Sequence, residues 1–337
     1  MLKVQIASKS KAKNLKIERD ILGLLLAESS KSGFPVDING ALCYPLNPVP
    51  PSLCSADGVR RKTTKSDLMA VLGDMTVDDD SDLGTDSDVY MEDLAAMVRS
   101  SVTQCSTIRD LSVLLCKSKP SNCKRFYVMV DSYENDGIKA GERKLRGAGV
   151  RYMLKNLDMK IPHDINSFLS VGENKIDLFR LIEKGIVEQD SGDTTFLLSS
   201  KGRMVEVRQN ASTERDELAC QHMEADFMFA LYSRMEENIL IRSRSGDIDI
   251  IVSLIGHQDL PESIYVDNGT GSGRKLLQPC MCELNSEERE ALIGFHAFTG
   301  NDYVSSFFRK GKKTCWKVAK RNRNFMGFFS KLGVNDF

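Results

Sequence analysis

Ile239-Leu240-Ile241-Arg242-Ser243-Arg244-Ser245-Gly246-Asp247-Ile248-Asp249-Ile250-Ile251-Val252 is the stretch around which the chain can be organised. One run of β-formers, Ile239 to Ile241, leads into it, and another, Ile250 to Leu254, leads out. Both are short, apolar and β-branched, so a strand pair over 239–254 is expected. Asp247 and Asp249 lie between the runs. In an extended segment residues i and i+2 point to the same side, and in a short loop the two carboxylates could converge as well. Neighbouring carboxylates repel unless a cation sits between them, which is the logic of a divalent-metal site. A polar Gly-Asp turn between two strands also explains the pair. The setting of the other acids decides between the two.

Outward from that stretch, apolar runs ending in acids recur. Phe34-Pro35-Val36 reads as a short strand ending at Asp37, and Phe126-Tyr127-Val128-Met129-Val130 as a buried strand ending at Asp131. Helical spacing of apolar residues predicts helices over 13–29, 91–116 (with a break), 164–182 and 213–236, and from Ser286 onward. Thr194 to Ser199 and Met204 to Val207 are further strand candidates. Strands alternating with helices argue an α/β fold with a mainly parallel central sheet flanked by helices. In such sheets ligands gather at the carboxyl ends of the strands. Asp37, Asp131 and the Asp247/Asp249 pair would then meet at one edge. Glu224 and Asp226 add a pair within a helical pattern, and Asp302 follows a helix and a Gly300-Asn301 turn. Each acid alone has a structural explanation, as turn former, cap or solvated helix face. Three acids following apolar strands are harder to explain that way.

Composition bounds the reading. The 337 residues suffice for one large domain or two small ones. The net charge of −1 hides an asymmetry: Leu68 to Val98 holds nine acidic residues and no basic one, while Tyr303 to Asn335 holds nine basic residues and no acidic one. The acidic part, about 74–90, reads as a solvated, disordered insertion. The basic part, 307–337, reads as a helical segment that suits a polyanion. The nine cysteines lack the even spacing of a secreted disulfide framework, and Cys280-Met281-Cys282 lacks zinc-site spacing. No apolar run approaches the length of about 18 residues that a membrane span needs. A reducing compartment, nucleus or cytoplasm, is the expectation, not secretion. Residues 1–33 read as an N-terminal helix or extension.

The ordered set Asp37, Asp131, Glu224-x-Asp226, Asp247-x-Asp249 and Gly300-Asn301-Asp302-Tyr303 resembles the seven-carboxylate layout of the flap endonuclease (Rad2-type) branch of PIN-like nucleases. It is most similar to a mobile-element-associated group of animal genomes. The matching motifs are Asp131-Ser132-Tyr133 with Ile138-Lys139-Ala140-Gly141-Glu142-Arg143, His222-Met223-Glu224-Ala225-Asp226, Ser243-x-x-Gly246-Asp247-Ile248-Asp249, and Phe295-His296-Ala297-Phe298-Thr299-Gly300-Asn301-Asp302 with Gly311-Lys312-Lys313-Thr314. The resemblance runs from Phe34 to Leu332. Met223, the Phe227-Met228 pair and Asn301 depart from the group's usual residues, and the paired-glycine hairpin expected after Asp302 is not evident.

The resemblance implies a PIN-like three-layer domain over 34–306 that hydrolyses phosphodiester bonds, as a structure-selective endonuclease on flap or branched DNA. Asp37, Asp131, Glu224, Asp226, Asp247, Asp249 and Asp302 would hold two Mg²⁺ or Mn²⁺ ions. Lys139, with Arg143 or Arg146, would grip the scissile phosphate, and Tyr44 would stack on a terminal base. Lys312, Lys313, Lys317 and Lys320 would bind the substrate backbone. DNA is favoured over RNA as partner. An inactive nucleic-acid-binding protein derived from a mobile element, and a PIN-type ribonuclease, are the alternatives.

Overall fold

A computed structural model describes residues 9–30, 37–44, 46, 49–55, 58–77, 87–131, 150–189, 192–200, 202–222, 224–243, 246–269 and 273–333. The chain divides into two compact units, one from Met1–Asp67 with Gly294–Phe325 and the other from Leu68–Ile293 with Met326–Phe337.

The second unit is built on a mixed eight-stranded sheet. Its strands are β1 (Val89–Asp93), β2 (Arg125–Met129), β3 (Thr195–Ser200), β4 (Arg203–Arg208), β5 (Ala211–Glu214), β6 (Ile239–Ser243), β7 (Ile264–Asn268) and β8 (Lys275–Leu277). The order is β5-β4-β3-β2-β1-β6-β7-β8. The five central strands, β3-β2-β1-β6-β7, are parallel. Antiparallel β4, β5 and β8 close the two sides. From β1 the chain first builds toward β2 and β3, then returns to lay β6 and β7 on the other flank. That reversal makes β1 the switch point, and in such sheets ligands gather at the strands' carboxyl ends there.

The described helices are α1 (Lys9–Ser29), α2 (Ile38–Leu42), α3 (Met69–Leu72), α4 (Leu94–Ser101), α5 (Ile108–Lys117), α6 (Ile165–Leu169), α7 (Gly172–Val187), α8 (Ala225–Ser233), α9 (Ile248–Gly256), α10 (Ser286–Phe298), α11 (Lys312–Lys320) and α12 (Arg323–Lys331). None is long and apolar enough to cross a membrane. In a strand, alternate residues face opposite sides, and both sides here are buried. Tyr90, Phe126, Val128, Phe196 and Leu198 pack with α4, α5, α6 and α7 on one face. On the other face Tyr127 stacks on Tyr232 of α8 at 5.4 Å between ring centres, and Ser199 donates to Met228 of α8. Burial on both faces explains why the central strands read as unbroken apolar runs.

Several sequence expectations change. The acids expected to be disordered at 74–90 are only partly outside the fold: Val77 donates to Leu276 at 2.9 Å, and Val89 and Tyr90 are buried in β1, while 78–86 lie outside the described residues. The helix expected over 91–116 is a strand, β1, followed by α4 and α5. Asp93 caps α4, and a Thr107–Asp110 capping box starts α5. The helix expected over 164–182 is broken at Ser170-Val171 into α6 and α7. The helix expected over 213–236 shrinks to α8, because Gln209 and Asn210, both at positive φ, turn the chain into a hairpin that places Thr213 in β5 opposite Glu206. The second strand of the pair expected over 239–254 is the helix α9. Its β-branched run is buried nearly all round, so no polar face marks it as helical, and the Asp247 cap decides. The strand expected at 34–36 lies outside the described residues, and Asp37 starts α2 instead.

Gly185 of α7 meets α5 at close range. A Cβ there would lie 2.3 Å from Ser112 Oγ and 2.6 Å from Ser112 Cβ. Glycine-to-alanine changes in helix interiors ordinarily stabilise. Here Gly185→Ala should instead destabilise by about 1–3 kcal/mol through overpacking, measured as a lowered midpoint in urea.

Candidate metal centre

Acids of the second unit gather at the carboxyl edge of β2-β1-β6. Asp93 is the last residue of β1, and Asp131 stands two residues past the end of β2. Asp247 and Asp249 follow β6 across the Gly246 corner, whose φ of 67° suits glycine. Glu224 and Asp226 arrive on the start of α8. One carboxylate oxygen from each of Asp226, Asp247 and Asp249 lies within 4.8 Å of the others.

Local backbone chemistry places each of these groups. Asp93 accepts from the N–H groups of Ala95 at 2.5 Å and Ala96 at 3.3 Å. Asp247 accepts from Asp249 N–H at 3.1 Å, and its own N–H is tied to Ser243 Oγ. Asp131 accepts from Ala225 N–H, the first of α8, at 3.0 Å. Glu224 occupies the cap position of α8 and is buried. Three helix starts, those of α4, α8 and α9, therefore carry acids of the cluster, and their exposed N–H groups favour negative charge.

That favour does not balance the acids. Burial, with the charge of Asp131, pushes Asp93 up to about 7, while the Ala95 and Ala96 N–H groups and Arg99 pull it back only in part. Asp226 is held well above the ordinary carboxylate range by burial, and then by Asp247, Asp93, Asp131 and Asp249. It is the common neighbour of the other four.

A second polar group on the same strands shows what a balanced site looks like. Asp267, buried in β7, pairs with Arg242 of β6 at 2.9 Å and with Arg274 at 2.6 Å. Glu92, buried beside Asp93, accepts from Tyr90 Oη at 3.1 Å and adjoins Arg242 across the β1–β6 register. These acids have arginines beside them; in the aspartate cluster, four aspartates act on Asp226. Asp226, Asp247 and Asp249 are spaced so that they could hold a divalent cation.

Of the other expected site residues, some belong to the first unit and some lie outside the described residues. Asp37 belongs to the first unit, where it caps α2 and accepts from Gly40 N–H at 3.0 Å; no described strand ends in it. Asp302 is in the same unit and pairs with Lys65 at 2.9 Å. Its loop is tightly set. Asn301 Oδ1 accepts from the N–H groups of Tyr303 and Val304, and a Cβ on Gly300 (φ 109°) would run into Ser306 backbone at 2.9 Å. Tyr44 is exposed. Lys139, Arg143 and Arg146 lie outside the described residues. Lys313, Lys317 and Lys320 are exposed on α11, as a backbone-binding role requires. Lys312 is not: it is fully buried, and its ammonium donates to His296 O and Thr299 Oγ1, both at 2.8 Å. It caps the end of α10 and holds the turn into Gly300-Asn301-Asp302. Counting charges along the segment could not separate it from its exposed neighbours.

Asp93 is the residue the sequence reading missed. Its signal was present: Val89-Tyr90-Met91 is an apolar run ending in acids, like the run before Asp131. The helical spacing that continues through Leu94, Met97 and Val98 masked the short strand. No protein-family model and no curated protein matches the chain.

Two outcomes follow from the charge balance. An unfolded aspartate titrates at about 3.9, and folded Asp93 at about 7. Across that window the folded state holds the extra proton, so in EDTA the melting point should fall as pH rises toward neutral, the full cost being present above the folded value. Asp226→Asn should flatten that fall and melt above wild type at neutral pH; an unchanged profile would show that the acids do not interact. Lys312→Ala should cost about 1–3 kcal/mol by stranding its two acceptors, whereas Lys313→Ala should stay within about 0.5 kcal/mol, both read from denaturant midpoints.

Proposed function

We propose that the chain is a divalent-metal-dependent nuclease of the PIN-like type, cutting phosphodiester bonds of branched or flapped DNA. The observation that carries this is the convergence of Asp93, Asp131, Asp226, Asp247 and Asp249 at the switch point of a mainly parallel sheet, close enough that the other four raise the proton affinity of Asp226. Mg²⁺ and Mn²⁺ prefer oxygen donors, and carboxylates make up this set. Asp226, Asp247 and Asp249 would hold one ion, and Asp93 and Asp131, with Glu224 beside them, would complete the set. A pair of such ions held there would supply activation of a water at neutral pH and offset charge on the phosphate.

The chain's own residues supply preorganisation. The N–H groups of Ala95, Ala225 and Asp249 each fix one oxygen of Asp93, Asp131 and Asp247, so these carboxylates do not have to be ordered by the ligand. A cation held there would relieve the repulsion that raises the proton affinity of Asp226 and so favour its charged form. Lys139, Arg143 and Arg146 remain the proposed phosphate grip, Arg as a fork and Lys as a point charge. Asp93 takes the place that the sequence resemblance gave to Asp37, because it ends a strand of the site's own sheet. A nuclear location suits the DNA substrate.

The test is cleavage of branched and linear DNA, and of the matching RNA, in Mg²⁺, Mn²⁺ or EDTA. Wild type should cut DNA only with metal. Asp226→Asn and the Asp247→Ala/Asp249→Ala pair should each lose about two orders of magnitude or more, with a smaller rise in melting point on adding Mn²⁺. Variants that cut like wild type would overturn the nuclease. A preference for RNA would keep the chemistry and replace the substrate.

A further inference from the structure

Two basic runs far apart in sequence, Arg60-Arg61-Lys62 and Arg309-Lys310, meet within the unit formed by Met1–Asp67 and Gly294–Phe325. Backbone bonds fasten them: Ser306 N–H donates to Arg61 O at 2.9 Å and Phe308 N–H to Ser52 O at 2.8 Å. Arg60 reaches across to donate to Tyr303 O. The first run is itself held by a bridge between Cys54 and Arg60. The outcome is a ring shared by two guanidiniums. Arg61 lies 4.3 Å and Arg309 5.0 Å from the centre of Phe308, which is 49% exposed. Arg61 Nε is anchored on Pro51 O at 3.0 Å, so its fork is held in place. Among the described residues no carboxylate pairs with Arg61, Arg309 or Lys310, whereas Asp302 of the same unit has Lys65.

The backbone gives an independent sign. Arg309 has a φ of 56°, in the left-handed region that residues with a Cβ enter at a cost. A turn alone would be served by glycine without that cost. What arginine adds is the guanidinium over Phe308.

We propose that Arg61, Phe308 and Arg309, with Lys310, form a clamp for the phosphodiester backbone of duplex DNA. Guanidinium forks match phosphate oxygens two at a time, and stacking on a ring fixes the fork before the ligand arrives. Exposed Lys313, Lys317 and Lys320 recur on α11 at spacings of four and three, a row on one helix side within the same unit. A row of point charges in the same unit as two fixed forks suits a repeating chain of phosphates better than a single anion. The clamp rests on the proposal that the substrate is nucleic acid, and not on the aspartate cluster or on cleavage.

The experiment is binding of a labelled random-sequence duplex to the full chain in EDTA, over a salt series. Arg309→Gly keeps the positive φ and removes the fork; Arg61→Gln removes the other fork without touching that corner. Phe308→Leu removes the ring and keeps both charges, and Lys117→Ala takes one exposed cation from the other unit. Arg309→Gly should melt at or above wild type, yet bind several-fold more weakly, with the slope of log affinity against log salt reduced by about 0.9 for each phosphate no longer gripped. Arg61→Gln should do the same, Phe308→Leu should weaken binding, and Lys117→Ala should match wild type. Wild-type affinity and slope in both arginine variants would overturn the clamp, as would failure of the wild-type chain to bind duplex in EDTA. Weakened binding by the variants of a chain that never cuts DNA would uphold the clamp and sink the nuclease.

Discussion

Repulsion among half-buried carboxylates is the constraint around which the sheet unit is arranged. Asp226 has four other aspartates acting on it, and folding must hold them together against that repulsion. Burial alone would drive such acids apart or protonate them. The fold meets the constraint with backbone. Strands β1, β2 and β6 aim their carboxyl ends at one place, and the starts of α4, α8 and α9 offer N–H groups to the acids gathered there. The remaining imbalance is what a divalent cation would relieve, so the same imbalance that weakens the fold would strengthen binding.

The contrast with Asp267 sharpens this. That carboxylate is buried, and two arginines flank it. A paired acid of this kind ties β6, β7 and the segment before β8 together. On the N-terminal side of the sheet the same economy appears, with Glu236 accepting from Tyr127 at 2.6 Å and pairing with Arg125.

The other unit uses its charges differently. Lys312 is spent inside, closing the end of α10, while Lys313, Lys317 and Lys320 face outward from α11. Trp316 packs edge-on to Phe295 at 4.8 Å and fixes which side of α11 is inward. The amphipathic pattern thus sorts one basic segment into a structural cation and a solvent-facing row. Arg61 and Arg309 belong to the outward set, although neither lies on a helix.

Local chemistry in the chain determined a good deal. The apolar runs 126–130 and 239–241 are strands because only burial on both faces suits them, and the parallel α/β class follows. Asp131, Asp247 and Asp249 could be picked out because acids beside apolar runs leave a local signature, whereas Asp226 lay inside an expected helix and entered through the resemblance. Other features are non-local and could not be picked out. Whether Ile250 to Leu254 is strand or helix depends on an Asp247 cap and on burial from all sides, and periodicity is silent when every face is apolar. Asp93 needed the pairing of β1 with β2 and β6 before it could be seen as a strand end rather than a helix residue. Lys312 needed α10 behind it before burial could outweigh its charge, and the meeting of Arg61 with Arg309 needed a chain reversal spanning most of the sequence. Propensity and period act over a few residues, whereas burial and charge pairing are set by what the fold brings alongside; only the tertiary structure decided those.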